Sequence, residues 1–303
     1  MEVVVQFIDD YRDEYGVEPI VRALHGTPAR IAVSSYYAFK KRPDSARKQR
    51  DAKLKVLLLR VWEENYSCYG VRKLWRAVNR EPGIEHVARC TVERLMGELG
   101  IHGVRGKGKR PSTKSAAAEE CPSDLVDRDF QAEASNQLWV ADITYIRTVV
   151  GWVYAAFILD TCTREIVGWQ VTNHLRASLA GDALNMALAA RLRAGESVTG
   201  LVHHSDRGVQ YRAVRYAEAL EQNEVVASVG SKGDSYDNAM AEALNSVFKA
   251  ELIDRNDWGG LIEVMAATSE WVGWYNQRRL HSGIDYLTPA EAHDLHQPMA
   301  LAA

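Results

Sequence analysis

Little in the 303-residue sequence suits a secreted or membrane-embedded protein. Its four cysteines (Cys68, Cys90, Cys121 and Cys162) lie far apart and form no C-x-x-C pair. That excludes a disulfide framework and fits reduced intracellular thiols. The longest uncharged apolar run, Val149 to Leu159, is eleven residues, whereas a membrane-spanning helix needs about 20. The first residues carry acids and no basic stretch before an apolar one, so no secretory signal is expected. These absences predict a cytoplasmic protein.

Hydrophobic residues at 47% and charged residues at 25% are the proportions of an ordinary globular protein. The length suits two or three domains. The net charge of −3 conceals a division: residues 1–114 carry 23 Lys and Arg against 14 Asp and Glu, and residues 115–303 carry 14 against 26. A basic N-terminal part ahead of an acidic remainder points to polyanion binding by the former. A merely solvated basic surface has the same composition, so pattern has to decide.

The basic part reads as short helices. Residues 17–25 and 34–42 flank the Gly26-Thr27-Pro28 break, in the outline of a helix-turn-helix. Residues 44–65 form a longer helix with Leu54, Leu57, Leu58 and Val61 on one face. A second helix-turn-helix is expected over about 69–100, from helices at 71–78 and 91–99. Arg72, Lys73, Arg76, Arg89 and Arg94 lie on their polar sides. The Gly- and Lys/Arg-rich stretch after Ile101 cannot build a core but can follow a phosphate backbone through Arg105, Lys107, Lys109 and Arg110. Gly103 to Lys109 matches the letters of a phosphate-binding loop, yet no strand precedes it and no Ser or Thr follows the lysine. The expected division is 1–43 and 44–104 for two helical DNA-binding segments, 105–130 for a basic linker, 131–255 for a catalytic core and 256–303 for a helical tail.

From residue 137 the pattern alternates. Three strands (137–148, 152–160 and 165–172) are expected from their β-branched and aromatic content to form an antiparallel meander. A helix at 177–192, a strand at 201–205, a helix at 211–222, a strand at 225–229 and a helix at 236–254 follow. That order predicts an α/β fold with a mixed sheet.

Three carboxylates stand where a core should not want them. Asp142 lies inside the first strand, where an unpaired charge is costly. Asp206 ends the fourth strand at the turn His204-Ser205-Asp206-Arg207-Gly208. Glu242 lies on the last helix, whose Met240, Leu244, Val247, Phe248 and Leu252 make an apolar stripe. Asn238, Glu242, Asn245 and Lys249 make an exposed polar one about half a turn away. Taken singly, each acid is more often structural than catalytic. Taken together, three carboxylates near 4 Å would repel by about 4 kcal/mol per pair at an effective dielectric of 20. Divalent cations with oxygen ligands remove that repulsion, and two of them can activate an attacking oxygen and stabilise a leaving one.

Asp142-Ile143-Thr144-Tyr145, His204 to Tyr211, and Asp237 to Glu242 with Lys249 resemble the DDE signature of retroviral integrases and insertion-sequence transposases. Between Asp142 and Asp206 stand 63 residues, and between Asp206 and Glu242 stand 35, as in that superfamily's D-D-35-E pattern. Ser35-Tyr36-Tyr37, Tyr69-Gly70-Val71-Arg72, Tyr275 to His281 and Leu287-Thr288-Pro289 resemble the downstream-frame product of insertion-sequence family three. Ala243 departs from the Ser often found there, without removing a ligand. The resemblance implies a ribonuclease H-like core and two Mg²⁺ ions, replaceable by Mn²⁺, held by Asp142, Asp206 and Glu242. It implies double-stranded DNA as substrate, at terminal inverted repeats and at the target. Lys249 would touch the terminal DNA, with Arg207, Asn238 and Asn245 as further contacts. It also implies copy-out, paste-in transposition in a bacterial cell near the nucleoid, a homo-oligomer, and an upstream segment added by frameshifting. A DNA-binding repressor with a vestigial core and a plain nuclease are the rival readings.

Three other features are weaker. His203-His204 lack Cys/His partners at zinc-like spacing, so one is expected to pack and the other to approach the active edge. Ser205 lies in no G-x-S-x-G elbow. Trp271 and Trp274, near Arg278, Arg279 and His281, suit either a core or a contact with DNA or a second subunit.

Overall fold

A computed structural model describes residues 1–106, 132–206, 208–229 and 238–296. Lys107, Lys109, Arg110 and Arg207 lie outside the described residues. The chain forms two compact units, Met1–Val56 and Leu57–Ala303.

In the first unit, α1 (Glu2–Tyr15) and α2 (Val17–Leu24) meet at Gly16, whose φ of 80° suits glycine. α3 (Val33–Lys41) follows. Val5, Ile8, Ile20, Val21 and Tyr36 form the core. The Tyr36 hydroxyl donates to Asp9 Oδ1 at 2.7 Å, and Lys40 pairs with Asp9 at 2.8 Å. α1 has no counterpart in the sequence reading. Its apolar residues lie on two faces, Val5 and Ile8 inward and Val3, Phe7 and Tyr11 exposed, which blurs the helical period.

The unit boundary falls inside α4 (Ala46–Glu64). In the second unit, α5 (Val71–Val78) and α6 (Arg89–Leu99) bury Leu74, Val78, Val92, Leu95 and Met96. Gly100 ends α6 in the left-handed conformation that a helix C-terminus favours. The expected helix pair at 71–78 and 91–99 is therefore present, its second helix starting two residues earlier.

The sheet has the order β3-β2-β1-β4-β5. It comprises β1 (Leu138–Thr148), β2 (Gly151–Asp160), β3 (Ile166–Thr172), β4 (Val202–Ser205) and β5 (Val226–Val229). β1, β2 and β3 are antiparallel neighbours, while β4 runs parallel to both β1 and β5. The mixed sheet expected from the strand and helix order is thus the one observed. α7 (Ala177–Arg193) and α8 (Val214–Gln222) contribute Leu179, Ala183, Leu184, Tyr216 and Leu220 to one core, with Trp139, Ala156 and Ile158 from the sheet. Phe157 points the other way, as strand alternation requires. Its ring lies 4.9 Å from Phe248 on α9 (Ala239–Glu251). Phe248 lies 5.0 Å from Trp271 on α10 (Leu261–Gln277). α11 (Pro289–His296) follows.

Trp271 and Trp274 are buried. Trp274 Nε1 donates to Asn65 Oδ1 at 3.1 Å. Of the two alternatives for this pair, the core is the one observed. Arg279 lies just beyond α10 and is buried too.

α7 crosses the sheet at Gly168 of β3, so close that a Cβ there would stand 2.2 Å from the Ala183 carbonyl oxygen. Gly168→Ala must push helix and sheet apart. A loss of about 1–3 kcal/mol, the usual range for overpacking, is expected in urea denaturation.

Candidate active site

Parallel pairing of β1 with β4 sets Ala141 opposite Ser205. Asp142 and Asp206 are the next residues along each chain, so they occupy matched positions where neighbouring strands run about 4.8 Å apart. Asp142 is fixed at both oxygens. Oδ1 accepts the Ile143 N–H at 2.8 Å, and Oδ2 accepts Asn245 Nδ2 at 2.9 Å. Asp206 stands beyond the strand end, its Oδ1 accepting the Gly208 N–H at 2.9 Å. A Cβ at Gly208 would come within 2.8 Å of that oxygen, so any larger residue would displace the Asp206 carboxylate. Glu242 enters from the first turn of α9, which packs on β1.

The three acids repel one another. Burial, then the Asp206 charge, push Asp142 up to about 7, against the bonds from Ile143 and Asn245, and Glu242 adds to the rise. Burial and Glu242 likewise raise Asp206, against the Gly208 N–H. Yet among the described residues no three His, Cys, Asp or Glu side chains gather tightly enough to hold one ion together. The expectation of three carboxylates within 4 Å of each other is therefore corrected: the aspartates share a register, and the glutamate acts on them from a helix without closing a cage. The donor set still fits hard cations, because Mg²⁺ is usually held by one or two carboxylates together with substrate phosphate.

A raised acid pKa makes the folded state bind protons more readily than the unfolded one. Metal-free protein should therefore lose stability as pH rises from about 4 through 7, with no further loss from Asp142 above that. Each pKa unit is worth about 1.4 kcal/mol. Thermal melts are expected to show higher stability at pH 6 than at pH 8, a smaller difference in Asp142→Asn, and partial recovery at pH 8 with added Mg²⁺.

Other expected contacts fall differently. Asn238 and Asn245 are buried rather than exposed, because Ala241, Leu244 and Phe248 carry α9 down onto the sheet with its amides inward. Asn238 Nδ2 donates to the Ala141 carbonyl at 2.9 Å. Neither amide is placed to meet DNA directly. Arg94 is engaged by Glu98 at 2.6 Å, and Arg76 stacks on Trp75 and Tyr286. Arg72 and Arg105 are exposed, while Lys73 and Lys249 are half-buried. His203 and His204 are both buried: His203 Nε2 meets the Tyr216 hydroxyl at 3.0 Å, and His204 Nδ1 meets Ser228 Oγ at 2.9 Å. Burial lowers His203 to about 4. Both belong to the short β4, where these bonds tie His203 to α8 and His204 to β5.

Tyr211 ends the His204 to Tyr211 motif but was assigned no role from the sequence. Its hydroxyl and the Oδ1 atoms of Asn238 and Asn245 are buried with no hydrogen-bond partner among the described residues. Burial and the charge of Asp142 raise the phenol well above its usual value. Orphaned polar atoms of this kind beside two aspartates mark a place for water or ions.

Residues 48–109 match the model of an HTH-like domain, and residues 132–235 and 223–289 match two models of an integrase core domain. The chain is 46% identical over 294 residues to the transposase for insertion sequence element IS629 of Shigella sonnei, covering 95% of each chain. It is 44% identical over 264 residues to the putative transposase for IS986/IS6110 of Mycobacterium tuberculosis H37Rv, covering 86% of this chain and 94% of that one. The HTLV-2 integrase catalytic core domain, solved in complex with magnesium, aligns at 16% identity and a TM-score of 0.40, over 54% of this chain and 99% of that one. With a helix-turn-helix-like domain ahead of a ribonuclease H-like integrase core, the chain belongs to the insertion-sequence transposases of the family-three kind.

Proposed function

We propose that Asp142, Asp206 and Glu242 are the DDE residues of a metal-dependent DNA strand transferase acting at insertion-sequence ends. The observation that carries this reading is the parallel pairing of β1 with β4 up to Ala141 and Ser205, which sets Asp142 and Asp206 side by side, each raised in pKa by burial and then by an acidic neighbour. Asn245 holds Asp142 with one oxygen engaged from α9, and the Gly208 N–H holds Asp206. Mg²⁺ or Mn²⁺, as two ions, would supply charge neutralisation and polarise the oxygens of the reacting phosphodiester.

In the first step a water oxygen attacks phosphorus at an element end. The P–O3′ bond breaks, leaving a 3′-OH on the element and a 5′-phosphate on the flank. In the second, that 3′-OH attacks another phosphodiester and displaces its 3′ oxygen, so the number of phosphodiester bonds is conserved. Residues 44–104 would hold the ends through Arg72, Arg76 and their neighbours, with Lys249 beside the reacting strand. Residues 1–43, 105–130, 131–255 and 256–303 would remain distinct working segments of an oligomer. A frameshifted upstream partner and nucleoid association belong to the same reading.

Among the described residues no helix is long and apolar enough to cross a membrane. The test is incubation of the full chain with duplex carrying a terminal inverted repeat and Mg²⁺. Joined strands are expected. Cut but unjoined strands would indicate a plain nuclease, and binding without any metal-dependent product would indicate a repressor.

A further inference from the structure

The start of α5, the chain leaving α6 and one flank of α9 line an open cavity of about 540 Å³. Its wall is drawn tight by glycine: a Cβ on Gly103 would lie 2.6 Å from the Gly70 nitrogen. The Val104 N–H donates to the Cys68 carbonyl at 3.1 Å. The lining includes Arg72, Lys73, Ser246, Glu251 and Arg279. Arg279 is committed to Glu251 through contacts of 2.7 and 2.8 Å, so that pair is neutral. Arg72 and Lys73 have no carboxylate partner among the described residues, which leaves the cavity cationic.

Lys73 is half-buried, its Nζ 5.4 Å above the Tyr69 ring. Burial and the Arg279 charge bring the amine down to about 8, and the Glu251 charge, already shared with Arg279, only partly offsets them. The first N–H bonded back into α5 is that of Leu74, to Gly70. Those of Val71, Arg72 and Lys73 precede it at the positive end of the helix. The volume lies within the roughly 300–1,000 Å³ of ligand sites and exceeds what a lone small ion fills. Ser246, on the rim, is one turn beyond Glu242, about 6 Å along α9. That is on the order of two base steps of a DNA strand at about 3.4 Å each.

We propose that this cavity seats a backbone phosphate of a DNA strand whose nearby phosphodiester reaches the Asp142, Asp206 and Glu242 site. The placement of the strand rests on the function proposed above; the anion site does not. Lys73 thereby acts from the wall of an open cleft shared with the helix that carries Glu242. A free inorganic or nucleotide phosphate has the same chemistry and is separated from DNA by the experiment.

The full chain is titrated with a fluorescent terminal-repeat duplex, without divalent ions, from about 50 to 200 mM salt. Lys73→Gln and Arg72→Gln are each expected to weaken binding several-fold and to reduce the slope of log affinity against log salt by about 0.9, the loss of one phosphate contact. Arg193→Gln, an exposed change on α7, should leave the slope unaltered. Thermal melts check folding, and Arg72→Gln, being at the surface, serves if Lys73→Gln fails to fold. An unchanged slope in the folded variants overturns the proposal. So does stabilisation by inorganic phosphate that Lys73→Gln abolishes while the DNA slope stays constant, which would assign the cavity to a free anion. Because no divalent ion and no cleavage are involved, failure of strand joining in the earlier assay leaves this readout standing, and the reverse holds.

Discussion

Asp206→Asn is expected to lower Mg²⁺-dependent strand joining by about 10²–10³-fold or more, the loss typical of removing one preorganised electrostatic group, while DNA affinity without metal stays the same or rises. The substitution keeps the shape of the side chain, and its amide oxygen can still accept the Gly208 N–H. Only the charge at the end of β4 disappears. Asp142→Asn should behave alike, and should also remove most of the pH dependence of stability, since Asp142 is the acid pushed to about 7. Glu242→Gln probes the third carboxylate without touching the matched register of the aspartates. If any of the three leaves joining intact while the protein is folded and binds DNA, that residue is not a catalytic one. Relief of repulsion predicts the stability change opposite to the activity change: each neutral variant should be at least as stable as the parent at pH 8. A residue whose role was to hold the fold would lose both together.

The sheet was legible because its signals are local. β-branched and aromatic runs gave β1 to β3, and Asp142 inside such a run was anomalous enough to be noticed. The motifs around Asp206 and Glu242, with their spacing, then carried the resemblance from which the site is proposed. Long-range facts were not legible. The sequence shows Asn238, Glu242, Asn245 and Lys249 on one stripe of a helix, yet only packing decides that the two asparagines turn inward to β1 while Lys249 stays half-buried. Tyr211 closes the motif that begins at His204, but no role followed for it from the sequence. Its unpartnered hydroxyl becomes meaningful only once Asp142 and Asp206 are beside it. Nor could period alone settle Trp271 and Trp274, because a core and a DNA-facing surface both use aromatics; the rings of Phe157 and Phe248 around Trp271 settle it.

The largest stability effect is expected at a pair the sequence reading did not single out. Glu251 ends α9, and Arg279 binds both its oxygens, at 2.8 Å through Nε and 2.7 Å through Nη2. Both residues are over nine-tenths buried. Arg279 also reaches His281 Nδ1 at 3.1 Å, and burial together with the Arg279 charge lowers His281 well below its usual value, keeping that ring neutral. Arg279→Met would leave the buried Glu251 without the guanidinium that engages both its oxygens, at a cost of about 3–5 kcal/mol, read as a drop in the urea midpoint. Glu251→Leu alone should cost a similar amount by stranding the guanidinium. The double variant should recover much of the loss, because two well-packed apolar groups can replace a buried ion pair at little net cost. A double-mutant cycle thus yields a large coupling energy, whereas two independent packing defects would simply add. Activity separates anchoring from stability. Glu251 lies two and a half turns from Glu242 on the same helix, so a double variant that recovers stability but not strand joining would show that the ion pair sets the position of α9 over β1. Recovery of both would limit the pair to holding the C-terminal helices in place.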